Sequence, residues 1–389
     1  MSFVLAHVTQ NIVYGITLPY LPILLRNLGY RAAVVGVLLA LAQGAGILGP
    51  FLFSRFADRD GRYKSYIILA YFLAAASAPV LVFFSHPAIT AVLIVLFAVG
   101  FRSVLPLIDA MTTINLGEKG NYGKIRVGGS ISYVCFVLFL QWVPVMRPNT
   151  PGNIAFWICV TSVLALIVTL SLPARYENRR SRSVDFQTGV SGGETKKSIW
   201  TPMFIVGLTS IALSRLAMTP VESFLPLFLV EDMRWDAVGL MFGLSAISEI
   251  PLVYFSNRII RRFGSMPIIA FACVMVAVRL TLYVVFPFRA GVIIAQLLHS
   301  FCFGLFHPAA VAFISNCVPP EKRSFGMTLY MSVGWGIPML IGNFIGGFIV
   351  DYAGYRSLFA SFTVFAILGA VIYVVYRFRE SFIKTEGRI

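Results

Sequence analysis

The stretch PLIDAMTTINLGEKGNYGKIRVGGSISY, which runs from Pro106 to Tyr133, joins two long apolar runs and carries Asp109 and Arg126 between them. A charge that faces hydrocarbon costs several kcal/mol, so ionisable groups at membrane depth usually face an interior cavity. If Asp109 ends one membrane helix and Arg126 begins the next, both side chains point into one polar cavity. A carboxylate, a guanidinium fork and the ring of Tyr133 suit a ring-shaped or polyhydroxylated ligand. The simpler alternative is a positive-inside Arg126 that pairs with Asp109.

The composition indicates an integral membrane protein. Of the 389 residues, 58% are hydrophobic and 12% are charged, whereas a soluble domain carries about 25% charged residues. No charged segment with a cleavage site precedes the first apolar run, so we expect no cleaved signal peptide. The net charge of +15 comes from short loops and follows the positive-inside rule, so we expect no nucleic-acid partner. The five cysteines have no CxxC spacing and predict neither a metal site nor a disulfide framework.

Twelve apolar runs are long enough to cross a bilayer, which takes about 20 helical residues. The first six are Phe3–Leu25, Ala33–Phe53, Ser65–Phe84, Ala88–Asn115, Ile125–Val145 and Ile154–Leu172. The last six are Ile199–Leu229, Ala237–Arg258, Met266–Phe286, Gly291–Val318, Phe325–Val350 and Ser357–Tyr376. We therefore predict an all-α membrane protein with two six-helix bundles, at residues 1–173 and 199–378. A cytoplasmic linker, 174–198, joins them and a cytoplasmic tail, 379–389, follows.

The lysines and arginines set the orientation. Most of them fall in the loops on one side of the predicted spans, such as Arg55, Arg62, Arg261 and Arg262, and in the linker. Because an excess of basic residues marks cytoplasmic loops, both termini are predicted on the cytoplasmic side of the plasma (inner) membrane.

A motif in the second loop resembles a known family. The segment SRFADRDGRYK, residues 54–64, follows the second span, and NRIIRRFGSM, residues 257–266, follows the eighth. The first is similar to the signature G-x-L-x-D-R-x-G-R-R/K of the major facilitator superfamily, with Ser54 in place of the first glycine. The resemblance implies two pseudo-symmetric six-helix bundles that move by alternating access. It also implies that the matching residues form a conformational latch; they are Asp58, Arg59, Gly61 and Arg62.

Within that superfamily the chain resembles the branch that includes lactose permease, nucleoside symporters and phenylpropionate permeases. The permease turn P-x-x-E-A reads here Pro106-Leu-Ile-Asp109-Ala. The permease motif G-R-x-R-x-x-G-x-x-x-aromatic reads here GKIRVGG, residues 123–129, and ends at Tyr133, with a one-residue gap between the two motifs. The resemblance therefore implies solute binding by Asp109, Arg126 and Tyr133. The antiporter Gly-Pro signature is absent from the fifth span, which disfavours a drug-efflux antiporter.

The resemblance also reaches the second half. Arg279 and His299 fall on positions that carry proton coupling in the permease, but Cys302 stands where the permease has a protonatable acid near the histidine. Glu249, in the sequence SEIP, lies about one turn later than the corresponding permease acid.

From the residues themselves, Glu249 and Arg279 on neighbouring spans could pair and separate as the protein moves, and so load or release a proton. The alternative is a permanent ion pair that fixes helix packing. Arg215 and Glu222 are seven residues apart, as are Arg102 and Asp109, so each pair lies on one helix face. The candidate proton-coupling residues are Glu249, Arg279, Glu222 and His299.

These observations predict a proton-coupled symporter for a small sugar-like or nucleoside-like solute. An uptake permease for an aromatic carboxylate is the alternative within transport, and a non-transporting membrane sensor with the same fold is the alternative outside it. Counterflow of labelled solute in proteoliposomes separates either kind of transporter from the non-transporting sensor. We expect a monomer whose partners are the solute and the lipid bilayer, with no cofactor beyond the coupling proton. No nucleophile–base pair or metal-ligand spacing suggests an enzyme.

Overall fold

The apolar runs form helices because a backbone within hydrocarbon can satisfy its N–H and C=O groups only through internal hydrogen bonds. A computed structural model describes residues 2–84, 86–116, 122–143, 147–172, 199–319 and 322–386, and no strand occurs in these ranges. The first half contains α1 Ser2–Asn27, α2 Ala32–Asp60, α3 Tyr63–Val80, α4 Pro87–Leu116, α5 Tyr122–Trp142 and α6 Pro151–Leu170.

The second half repeats the count of six. It contains α7 Pro202–Asp232, α8 Val238–Phe263, α9 Ser265–Val285, α10 Arg289–Cys317, α11 at 323–353 and α12 at 355–386. The last two helices follow each other directly, and Gly354, with a φ of 80°, turns the chain between them. Only glycine adopts that backbone conformation without steric cost.

The predicted all-α class is confirmed for the described residues. Among the described residues, ten helices are long and apolar enough to span a membrane. One of these ten is the continuous stretch Phe325–Arg379, which contains both α11 and α12. The helix α5 contributes a shorter apolar helix, Val127–Trp142. The predicted linker, 174–198, lies outside the described residues. The last helix continues to Glu386, into the segment predicted as a tail.

Within each half the helices pack side by side, and the halves meet mainly along two lines, with further contacts between α1 and α7. In the first half, α1 packs on α5 and α6, while α4 packs on α2 and α3. In the second, α7 and α9 pack on the α11–α12 pair, and α8 packs on α10. Between the halves, α2 packs against α11 and α5 against α8.

The halves are joined at one end of the bundle, the end opposite to the N-terminus, which we call the distal end. Three ion pairs cross between the halves there: Arg26–Glu231 at 2.6 Å, Arg31–Asp351 at 3.3 Å and Arg147–Asp236 at 3.2 Å. Every ion pair recorded between described residues of the two halves lies at this end. Tyr355 also donates to Glu231, at 2.8 Å.

Glycine allows the closest approach of the halves near the distal end. A Cβ on Gly36 of α2 would lie 2.5 Å from the carbonyl oxygen of Asn343 and 2.7 Å from the Cα of Gly347, both on α11. On the other line, a Cβ on Gly239 of α8 would lie 2.6 Å from the carbonyl oxygen of Val137 on α5. No larger residue fits at either position while the distal end is closed.

Candidate functional site

Three of the predicted coupling residues form one chain of contacts in the second half. The Nε2 atom of His299 lies 2.7 Å from Oε1 of Glu249, and its Nδ1 atom lies 2.7 Å from Nη1 of Arg279. The predicted direct pair of Glu249 and Arg279 is therefore wrong for this state, because His299 lies between them. The carboxyl partner that His299 was predicted to lack is Glu249.

Close helix packing brings Glu249 within reach of His299. Gly304 of α10 faces Glu249, and a Cβ at that glycine would lie 3.3 Å from the Cα of Glu249. The missing side chain lets α8 approach α10, so a carboxyl about one turn away from the permease position still reaches the histidine. The π-helical turn Ser300–Leu305 begins directly after His299, and such turns often occur at functional sites.

The hydrogen-bond partners fix the protonation of His299 in this arrangement. The Arg279 guanidinium can only donate, so Nδ1 of His299 accepts from it and carries no proton. The Nε2–H then donates to Glu249, and the imidazole is neutral. A second proton on His299 would place an N–H against the Arg279 guanidinium, so protonating the ring requires Arg279 to move away.

Other polar groups hold Arg279 in place. Its side chain is 1% exposed, and its guanidinium donates to Oε1 of Gln296 and, at 3.4 Å, to the Tyr283 hydroxyl. Ser245 of α8 donates to the same oxygen of Gln296. A buried guanidinium needs such partners because an uncompensated buried charge is strongly destabilising.

Glu222, the remaining predicted coupling residue, belongs to a separate cluster. It accepts a hydrogen bond from Arg215, seven residues earlier on α7, as the sequence spacing predicts. The Arg215 side chain is 0% exposed and its guanidinium carbon lies 4.0 Å from the centroid of the Trp335 ring. The pair is therefore a cation held between a carboxylate and an aromatic face, at a distance from which a cation–π attraction is expected.

In the first half, the predicted solute-binding acid has a histidine beside it. Asp109 is 32% exposed, and its Oδ1 atom lies 3.8 Å from Nε2 of His7, a residue of α1. His7 is 1% exposed and also lies 3.3 Å from the Thr112 hydroxyl. Sequence reasoning missed His7, although a histidine inside the first apolar run is a visible signal.

The other predicted solute-binding residues lie on α5. The helix includes Arg126, whose side chain falls outside the described part of the structure. Tyr133 is half-buried, and α5 packs against α8, the helix that carries Glu249. Tyr133 thus lies on the helix through which the first half, with the predicted solute-binding set, meets the second half, with the coupling set.

The predicted latch residues form an exposed turn between α2 and α3. Asp58 accepts a hydrogen bond from the Tyr63 hydroxyl, and Gly61 ends α2 with a φ of 67°, its N–H bonded to the Ala57 carbonyl at 2.8 Å. Arg59 and Arg62 are exposed. The structure thus pairs the acid with a tyrosine of its own turn.

The chain has clear relatives. The sequence model of the MFS_1 like family matches residues 12–361. An uncharacterized transporter of Bacillus subtilis (strain 168) is 26% identical over 274 residues, 70% of this chain and 66% of that protein. A maltose permease of Geobacillus stearothermophilus is 23% identical over 382 residues, 96% of this chain and 93% of that protein.

Two further similarities concern other solutes. A probable 3-phenylpropionic acid transporter of Escherichia coli (strain K12) is 23% identical over 360 residues, covering 90% of this chain and 91% of that protein. The crystal structure of the nucleoside transporter NupG superposes with a TM-score of 0.79 at 15% identity, covering 96% of this chain and 98% of that one. With two six-helix halves and a family match over most of its length, the chain belongs to the MFS_1 like family of major facilitator membrane transporters.

Proposed function

We propose that this transporter couples the uptake of a small solute to the movement of a proton. The observation that carries the proposal is the position of His299, between the carboxylate of Glu249 and the guanidinium of Arg279. Three helices, α8, α9 and α10, meet through these three side chains. A change of protonation in this chain of contacts therefore alters the packing of all three helices.

Glu249 is the first candidate for the proton-carrying group. Its side chain is 22% exposed, so a proton can reach it. Protonation removes the charge that holds the Nε2–H of His299, and a charge-assisted hydrogen bond is about twice as strong as a neutral one. The weakened contact frees α10 to shift against α8. In the opposite access state, renewed pairing with His299 would favour proton release.

The closed distal end supports an inward-open state of the transporter. With both termini on the cytoplasmic side, the distal end faces outward, and the carboxylates of Asp109, Glu222 and Glu249 are reached from the cytoplasm. Their side chains are 32%, 27% and 22% exposed. The arrangement then corresponds to the inward-open half of an alternating-access cycle.

For the solute, a sugar-like or nucleoside-like compound is the first candidate. The carboxylate of Asp109 can accept hydrogen bonds from hydroxyl groups, and Tyr133 offers a ring face. The named solutes of the maltose permease and of NupG favour this class. An aromatic carboxylate is the second candidate, favoured by the buried cation of Arg215 and by the phenylpropionic acid relative.

The test is a pair of variants in proteoliposomes. Glu249→Gln fixes a neutral side chain at position 249, so we expect it to retain counterflow of labelled solute and to lose accumulation driven by an imposed pH gradient. Glu222→Gln tests the alternative carboxyl group, because Glu222 bonds Arg215 and lies outside the His299 contacts.

Each outcome separates the alternatives. Accumulation by Glu249→Gln at the level of the unmodified protein would place the coupling group elsewhere. Loss of accumulation in Glu222→Gln alone would move the assignment to that residue. An unmodified protein that shows counterflow without gradient-driven accumulation would be a facilitator, and one without counterflow for any solute of a broad panel would fit the sensor alternative.

A further inference from the structure

A single thioether sulfur, near the middle of α11, receives three polar donors. The Sδ atom of Met339 on α11 lies 3.1 Å from Nε1 of Trp335, 3.9 Å from Nε2 of Gln43 and 3.9 Å from Nη2 of Arg215. Met339 itself is 5% exposed. A thioether is a weak hydrogen-bond acceptor, so the Trp335 and Gln43 donors have no acceptor of matching strength among the described residues, whereas Nη2 of Arg215 also donates to Glu222.

Arg215 is short of partners in a second way. Its Nε and Nη1 atoms are buried and have no hydrogen-bond partner among the described residues. Within the described part of the chain, Arg215 donates hydrogen bonds through Nη2 alone, to Glu222 and to the sulfur. Buried guanidinium nitrogens without acceptors are rare and costly, so the site holds more donors than its own side chains can satisfy.

The donors come from both halves of the transporter. Gln43 lies on α2, whereas Arg215 and Trp335 lie on α7 and α11. Arg102 of α4 donates to Oε1 of Gln43 at 3.3 Å, which turns the amide nitrogen of Gln43 toward the sulfur. Two arginines and one carboxylate, that of Glu222, leave the cluster with one excess positive charge.

We propose that Gln43, Arg215 and Trp335 form a subsite for a carboxylate group of the transported solute. In its absence the Met339 sulfur occupies the position of the acceptor. A methionine side chain has three rotatable bonds and moves aside readily. This inference rests on the proposed transport function and narrows the solute to an acid, either an aromatic carboxylate or a sugar acid.

The geometry suits such a ligand. A carboxylate has two oxygens that can each accept several hydrogen bonds, and an arginine fork matches it in a bidentate manner. Trp335 is half-buried and the Glu222 side chain is 27% exposed, so the cluster is reached past these two residues. A bound carboxylate would contact both halves at once, through Gln43 and through Arg215.

The first test needs no solute. Met339→Glu places a carboxylate where the sulfur lies, and Met339→Gln places a neutral group of the same length there. If Gln43, Arg215 and Trp335 form a carboxylate site, the Tm of purified Met339→Glu exceeds that of Met339→Gln by several degrees. A Tm equal to or below that of Met339→Gln would show an apolar packing position and overturn the subsite.

The second test uses matched acids and amides. We expect 3-phenylpropionate or glucuronate to bind the purified transporter at least tenfold more tightly than 3-phenylpropanamide or glucuronamide, and we expect Arg215→Gln to remove this preference. The two acids distinguish an aryl solute from a sugar acid. Equal binding of acid and amide, binding of neither acid, or a preference that survives in Arg215→Gln overturns the subsite.

The carboxylate subsite and the proposed proton coupling can be refuted independently of each other. A transporter that accumulates only neutral solutes in a pH gradient would retain the proposed symport and exclude the carboxylate subsite. One that binds the acids through Arg215 without gradient-driven accumulation would retain the subsite and exclude the symport.

Discussion

At the scale of single residues, His299 acts as a bridge between a group that only donates and a group that accepts. Arg279 donates to its Nδ1 atom, and its Nε2–H faces Glu249. A glutamine side chain offers the same pair of functions, one acceptor oxygen and one donor nitrogen, but it binds no proton in the physiological range. Substitutions of His299 therefore show whether its function requires the two hydrogen bonds alone or also protonation of the ring.

We expect His299→Gln to keep pH-gradient-driven accumulation within about threefold of the unmodified protein. We expect His299→Phe to lower the accumulation about tenfold or more, which corresponds to roughly 1.4 kcal/mol of coupling free energy. The reason is that Glu249 carries the proton and His299 transmits the change through its two hydrogen bonds. Accumulation is measured in proteoliposomes with counterflow as the control for folding. Equal loss in both variants would assign the proton to the imidazole itself.

Single residues also show how far sequence reasoning reaches at the site. Motif spacing identified Glu249, Arg279 and His299, and the structure brings those three together. Motif spacing did not show that His299 lies between the other two side chains, because that arrangement depends on how close α8 comes to α10 at Gly304. A glycine that is needed for close packing looks, in sequence, like any other small residue of a membrane helix.

At the scale of helices, three π-helical segments coincide with residues of the candidate sites. Pro220–Phe224 of α7 contains Glu222, Ser300–Leu305 of α10 follows His299, and Ser332–Gly336 of α11 contains Trp335. A π turn inserts one residue into the helical repeat and rotates the side chains that follow. The 3.6-residue period used to assign helix faces from sequence fails at such turns, which is one reason why the donor cluster around Met339 was not predicted.

The turn between α2 and α3 offers a prediction with an internal control. Asp58 accepts from the Tyr63 hydroxyl, and Asp60, two residues later, accepts from the Tyr66 hydroxyl at 2.7 Å. Only Asp58 matches the acid of the family signature. We expect Asp58→Asn to slow the exchange of access states about tenfold and to leave solute affinity unchanged, because the turn lies far from the cavity.

Asp60→Asn is the matched control, since it removes the same carboxylate charge from the same turn and leaves an oxygen that can accept from the Tyr66 hydroxyl. Solute affinity is measured in detergent and the exchange rate by counterflow. If both variants slow exchange equally, the turn acts through general stability and the signature residue has no special latch role. A loss of affinity in Asp58→Asn with a normal exchange rate would contradict the latch in another way.

At the scale of the whole molecule, the sequence predicted the architecture better than the state. Hydrophobic runs and loop charges are properties of each segment alone, so two sets of six spans could be derived from them. Whether the distal end is open or closed depends on contacts between residues far apart in the chain, such as Arg26 with Glu231 and Gly36 with Asn343. No local pattern encodes such contacts, since both access states use the same helices.

The last prediction concerns the closure of the distal end. Gly36→Leu cannot be accommodated while α2 and α11 touch, because a Cβ there would lie 2.5 Å from the Asn343 carbonyl oxygen. Overpacking of this kind costs about 1–3 kcal/mol, which the protein avoids by separating the halves at the distal end. We expect the distal-open population to rise on the order of tenfold.

The rise is measured as the rate of maleimide labelling at Gln141→Cys, in a variant whose natural cysteines are replaced. Gln141 is 7% exposed and its side chain bonds the Asp236 carbonyl across the two halves at 2.8 Å, so it becomes accessible only when they part. Gly152→Leu is the control, because it also lies at the distal end and a Cβ there meets nothing within 4 Å. Faster labelling in Gly36→Leu alone fits separation of α2 from α11. Equal labelling in both variants would mean that the glycine contact does not hold the distal end closed.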